Sequence, residues 1–112
     1  MYLLDTMVVS EPTKARPSPE VEAWIQAQSP QRVFMSVLSF GEVLFGIRQL
    51  PLGKRRTRLA DWHRDALTGF FEDRILNVDQ NVADVWAGMR TLARRTISPI
   101  DGLIAATALS HD

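Results

Sequence analysis

Cysteine is missing from this sequence altogether, which excludes a disulfide framework and any thiolate metal site. A metal, if bound, must be held by oxygen or histidine. The 2 histidines, His63 and His111, have no ligand-spaced partner and read as surface or packing residues. No apolar run approaches the roughly 20 residues that a membrane span requires, and no basic segment precedes a signal-like apolar core at the N-terminus. The expectation is a soluble, cytoplasmic protein with no membrane partner. An excess of charge is missing too, because 13 basic and 13 acidic residues cancel. Overall charge therefore argues neither for nor against nucleic acid, since a local patch can still bind phosphate. Repeats, low-complexity tracts and linkers are also absent. What is there is enough apolar material, 46% of 112 residues, for one domain spanning 1–112 with a buried core.

That apolar material is arranged as short runs alternating with helical periodicity. Met1 to Thr6 is too brief for a helix and is closed by Asp5, so it reads as a strand buried on both faces. A polar, proline-bearing loop over Thr13–Pro19 follows. Ser18, Pro19 and Glu20 then open a helix to about Gln28, with Val21, Trp24 and Ile25 on one face. Arg32–Met35 reads as a second strand, and Ser39–Glu42 begins a helix carrying Val43, Leu44, Ile47 and Leu50 inward, up to Pro51. The next helical pattern runs from Lys54 to about Phe71. Ile75–Val78 is a third strand, followed by a helix from Gln80 to Arg94 and a last one, Gly102 to Ser110, opened by Ser98. The last helix is so poor in polar residues that it is expected to lie centrally. Alternating strands and helices predict an α/β fold, a small three-layer α/β/α sandwich around a parallel sheet.

Asp5 follows strand one, Glu42 is expected in the first turn of the helix after strand two, and Asp101 in the first turn of the last helix. Right-handed crossovers place helix starts at the carboxyl edge of a parallel sheet, the edge where ligands bind, so Asp5 and Glu42 belong on one edge. Asp101 joins them if its helix points its N-terminus there. Converging carboxylates repel unless a cation neutralises them, and hard oxygen ligands suit Mg²⁺ or Mn²⁺. Such a metal can activate water against a phosphodiester. An ordinary reading stands beside this one. Ser39-x-x-Glu42 and Ser98-x-x-Asp101 fit a capping box or its aspartate variant, and Asp5 can cap a turn. Thr6 and Ser39 are turn and cap residues first, and candidate supports for the carboxylates second. Glu11, Glu20, Glu22, Asp61, Asp65, Glu72, Asp73 and Asp84 read as loop or solvated-face acids, and Asp79 as a helix cap.

Three blocks in order carry a family likeness: Leu3-Leu4-Asp5-Thr6 with Val8-Val9-Ser10-Glu11-Pro12; Ser36 to Glu42 with Gly46; and Ile97 to Ala108. Together they resemble the signature blocks of PIN-domain ribonucleases, and most closely the VapC/FitB-type toxins of type II toxin–antitoxin modules. The resemblance implies a Mg²⁺- or Mn²⁺-dependent endoribonuclease, usually a homodimer, that cleaves RNA and is inhibited by a cognate antitoxin. It carries the metal-site role onto Asp5, Glu42 and Asp101. The family commonly has Asn where this chain has Met7, a thioether without the same hydrogen bonding. It also continues into another strand with a fourth acidic or polar site residue, whereas this chain ends at Asp112, so that role is not carried over. The Arg95–Ile97 connection is tighter than the family's usual one. A missing C-terminal strand would expose a sheet edge and part of the last helix. Two explanations stay open: a trimmed, catalytically impaired variant, or a longer protein of which this is a part.

The run Lys54-Arg55-Arg56-Thr57-Arg58 invites RNA phosphate or an acidic antitoxin surface. A charge run at a helix start is also commonly a solvated face, and basic residues there oppose the helix dipole. Trp24, Trp62 and Trp86 fall at apolar helix positions, so packing in the core or a dimer interface is expected of them. The alternative to a nuclease is a binding module that keeps partner and dimer surfaces without the chemistry. A phosphatase or receiver domain is disfavoured, because no second aspartate follows Asp5 at Asp-x-Asp spacing and no lysine follows a late strand.

Overall fold

Val33 and Met35 are among the most deeply buried side chains of the protein, and the strand that carries them organises the rest. The computed structural model describes residues 1–93 and 96–111. β1 (Tyr2–Leu4) and β3 (Ile75–Leu76) flank β2 (Val33–Ser36) in one parallel sheet of order β1-β2-β3. Tyr2 pairs with Val33, Leu4 with Met35 and Ser36 with Leu76. Parallel neighbours require crossovers. α1 (Thr6–Val9) and α2 (Pro19–Ala27) lie between the first two strands; α3 (Val37–Arg48), α4 (Lys54–Asp61) and α5 (Thr68–Phe71) lie between the next two. α6 (Gln80–Leu92) and α7 (Pro99–Ser110) follow β3, completing the three-layer α/β/α arrangement that the alternating pattern predicts.

The core joins Leu4, Val33 and Met35 of the sheet to Val9 of α1, Val43 and Ile47 of α3, Leu59 of α4, Phe71 of α5 and the intervening Leu67. Burying one such side chain is worth about 1.5–3 kcal/mol, so this cluster carries most of the fold's stability. A single π-helical turn, Trp62–Leu67, joins α4 to α5 in one rod. That turn places His63 in the interior, where its Nε2 lies 2.8 Å from the Phe40 carbonyl and its ring tilts over the Phe40 ring at 3.9 Å. Arg74 holds the rod's far end to the sheet. Its guanidinium donates to the carbonyls of Phe70, Pro30 and, at 2.7 Å, Val33, beneath the Phe70 and Phe71 rings.

Several boundaries differ from the periodicity reading. The first strand narrows to Tyr2–Leu4 because Asp5 caps a helix that starts at once. The third stops at Leu76, where the chain leaves the sheet toward the Asp79 cap of α6. α3 begins at Val37 rather than near Ser39, because Ser36 ends the strand and accepts the Leu38 N–H at 3.0 Å. The Ser39-x-x-Glu42 capping box is therefore not used, and Glu42 lies in the second turn. The last helix is not central. Gly102, Ala106 and Thr107 form its buried stripe, while Leu109 is 57% exposed. It packs chiefly on α6, with α3 as a lesser neighbour. The expected end of α6 at Arg94, the tight connection at Arg95 and the terminal Asp112 lie outside the described residues.

Candidate active site

The β1–β2 register sets Asp5, just beyond Leu4, beside Ser36, just beyond Met35, at the carboxyl edge of the sheet. Asp5 is exposed and caps α1, its Oδ1 accepting the Val8 N–H at 2.8 Å. The ordinary capping role is therefore real, and it leaves Oδ2 without a hydrogen bond among the described residues. Thr6, the first residue of α1, turns its hydroxyl toward α3 and donates to Glu42 Oε1 at 2.7 Å. This bond spans 36 positions of sequence and ties the start of α1 to the helix that follows β2. Ser39, one turn ahead of Glu42 and Val43, is fully buried, and its hydroxyl has no hydrogen-bond partner among the described residues. Buried hydroxyls are usually satisfied, so an open one beside a functional edge is notable. Met7 is 74% exposed and adds no polar group to the edge.

Glu42 and Thr6 open onto a cleft of about 300 Å³ whose walls also include Ser10, Thr13, Gly46 and Arg55. Arg55 of the basic run reaches across from α4 and donates to the Thr13 carbonyl at 3.3 Å. Lys54 and Arg58 line a different hollow, with Gly53, Thr57 and Asp61, and Arg56 is partly buried.

Asp101 does not line this cleft, and neither does Asp5, which lines a separate hollow with Tyr2, Val8, Trp24 and Ala108 of α7. Asp101 is exposed in the first turn of α7, where Ser98 Oγ accepts its backbone N–H at 3.4 Å, half of the expected capping box. The helix is held by Gly102, which packs so closely on Trp86 of α6 that an added Cβ would meet the indole Nε1 at 3.1 Å. Among the described residues no three acidic or histidine side chains come within reach of one ion. Asp5 and Glu42 nonetheless offer the donor chemistry that a hard divalent cation takes. Mg²⁺ is commonly held by one or two carboxylates with its remaining positions kept by water, so a pair suffices as a cradle.

Glu11, expected to be an ordinary loop acid, is instead only 6% exposed. Its carboxylate binds the Lys14 ammonium at 2.8 Å and the Ser18 backbone N–H at 2.6 Å. The Lys14 hydrogen bond first, then that of Ser18, holds its pKa below the usual glutamate value. Glu11 thereby joins the turn after α1 to the cap of α2, which steadies one wall of the cleft. Spacing carries no signal for this, since the partner backbone is supplied by a loop.

Comparison with known proteins matches the chain, over residues 2–112, to the PIN domain model. It is 35% identical to toxin FitB of Neisseria gonorrhoeae over 99% of this chain and 82% of the relative. It is 39% identical to the VapC ribonuclease Y4jK of Sinorhizobium fredii, over 99% and 81%. The solved structure of FitAcB from Neisseria gonorrhoeae superimposes with a TM-score of 0.93 at 35% identity, covering 99% of this chain and 82% of that one. FitAB bound to a DNA fragment, IR36, also gives 0.93. The fold and these full-length similarities agree, and the chain belongs to the PIN-domain family, among the VapC/FitB-like toxins.

Proposed function

We propose that this chain is an endoribonuclease toxin that hydrolyses RNA phosphodiester bonds with a divalent cation, Mg²⁺ or Mn²⁺, and that a cognate antitoxin neutralises it. The observation that carries the reading is the Thr6–Glu42 hydrogen bond, which couples α1, capped by Asp5, to the Glu42 carboxylate at the carboxyl edge of a parallel sheet. Asp5 and Glu42 would hold the cation, and Asp101 is assigned with them on the family likeness. When bound, the cation supplies an acidified water and neutralises charge on the phosphate. The Val8 N–H fixes the Asp5 rotamer through Oδ1, and the Thr6 hydroxyl fixes Glu42 through Oε1, so each acid is oriented before a ligand arrives. Ser39 Oγ is a further donor beside the same edge. Lys54, Arg55, Arg56 and Arg58 supply positive charge for RNA phosphate or an acidic partner. An antitoxin partner is supported by the FitAB neighbours, and a homodimer by the family likeness. No helix among the described residues is long and apolar enough to cross a membrane, which suits a toxin acting on RNA in the cytoplasm.

The test is cleavage of a structured RNA in Mg²⁺ or Mn²⁺ by the wild-type chain and its loss in Asp5→Asn. Activity that survives the substitution would falsify the assignment. One observation favours a second reading, a binding module with impaired chemistry: the described residues hold no three-acid cluster, and Met7 adds no polar group beside the pair. That module would bind RNA or antitoxin without cutting and would take up no divalent cation.

A further inference from the structure

The basic run divides between two surfaces, and one of its members lines the cleft that holds Glu42. Arg55 lines the cleft that Thr6 and Glu42 open onto, whereas Lys54 and Arg58 line a separate hollow beside Asp61. Among the residues lining that cleft Arg55 is the one cation, and Glu42 the one acid. The two form no ion pair; the guanidinium spends a hydrogen bond on the Thr13 carbonyl instead. Thr13 closes the 3₁₀ turn Glu11–Thr13, which buried Glu11 pins to Ser18. The contact therefore leans Arg55 on a fixed wall while leaving most of its five N–H donors open. A planar guanidinium held this way matches the two free oxygens of a phosphodiester in a bidentate manner that an ammonium cannot.

We infer that Arg55 grips a backbone phosphate of single-stranded RNA in this cleft, opposite Glu42, and so sets the strand's register against that carboxylate. This rests on the nuclease reading for its substrate class. The rest of the basic run contributes charge from the outer face. The grip is sequence-independent, because a phosphate contact positions a strand without reading its bases.

The experiment measures binding of a fluorescent single-stranded RNA oligonucleotide to the Asp5→Asn protein by anisotropy, across a salt series, with Arg55→Ala, Arg55→Lys and Arg58→Ala introduced in turn. Each single-strand phosphate contact contributes about 0.7 to the slope of log affinity against log salt. Arg55→Ala is expected to weaken binding about tenfold and to flatten the slope by about 0.7. Arg55→Lys should keep the slope and lose part of the affinity, and Arg58→Ala should change both less than Arg55→Ala. An unchanged slope in Arg55→Ala overturns the inference, as does an equal loss in Arg58→Ala, or loss of antitoxin affinity with RNA binding intact. Lost RNA binding at an unchanged slope and a lowered melting temperature also overturns it, since that marks Arg55 as a strut for Thr13. Cleavage by the wild-type chain is scored separately: cutting with an unaltered Arg55→Ala slope removes this inference alone, whereas a flattened slope without cutting removes the nuclease reading and leaves the grip.

Discussion

The sheet with α1 to α5 and the α6–α7 hairpin are built to different standards. The first shares one continuous core in which Val33, Met35, Val43, Ile47 and Phe71 interlock. The hairpin contributes nothing to that cluster. Its own buried residues are Val82, Gly102, Ala106 and Thr107, and Leu92 and Leu109 lie open. The radius of gyration, 15.1 Å, exceeds the ~13 Å expected of a compact chain of about this length. Chemistry follows the same division. Asp5, Thr6 and Glu42 stand on the interlocked part, fixed by the core beneath them, while Asp101 rides on the hairpin. An acid's orientation is only as definite as the element that carries it: Val8 and Thr6 hold Asp5 and Glu42 on the interlocked part, while Asp101 depends on how α7 packs.

The two regions should differ most through their acids. Asp5→Asn is expected to lower single-turnover cleavage by more than about a hundredfold, since even outer partners of a metal ligand are worth about 10–100-fold. Asp101→Asn should cost less, and an equal loss would show that the hairpin's acid shares the ion in the working enzyme. Stability comes next. Met35→Ala should cost about 2–5 kcal/mol and lower hydrogen-exchange protection throughout the molecule. Val82→Ala, equally buried but in the hairpin, should cost about 2 kcal/mol and lower protection in α6 and α7 alone. Thr6→Val, which removes the hydroxyl on Glu42 without emptying the site, should reduce cleavage about tenfold and leave the melting temperature close to wild type.

The smallest expected effect is that of Glu11→Gln. Because the folded state holds the Glu11 pKa below its ordinary value, the stability it contributes is present above the unfolded pKa and is lost as pH falls through the folded one. Melting temperatures of Glu11→Gln and wild type should therefore differ at neutral pH and converge in acid. A gap that persists in acid would show that the side chain's packing, not its charge, matters.

Much of the interlocked part was legible in the sequence. A brief apolar run ending in Asp5 and a second ending before Glu42 identify parallel strands, and the crossover rule alone puts both acids on one edge. The capping site of α3 was not legible, since Ser36 and Ser39 are both plausible caps and only the strand's end, set by pairing, decides between them. The burial of Glu11 and the Phe40 contact of His63 depend on backbone atoms from distant loops or helices, which side-chain patterning does not encode. For α7 the composition points to a central position, yet burial depends on what packs against a helix, and here α6, with a smaller contribution from α3, buries Gly102, Ala106 and Thr107 while Leu109 stays open. The split of the basic run was hidden for a similar reason: helical rotation sends Arg55 to one surface and Lys54 and Arg58 to another.

Titration calorimetry with Mn²⁺ on the wild-type chain, Asp5→Asn and Glu42→Gln asks whether these acids hold a cation. Saturable binding to the wild type that either substitution removes is expected. Heats no larger for the wild type than for the two variants would contradict it, and would leave Asp5 as the cap of α1 and Glu42 as the acceptor of the Thr6 hydroxyl.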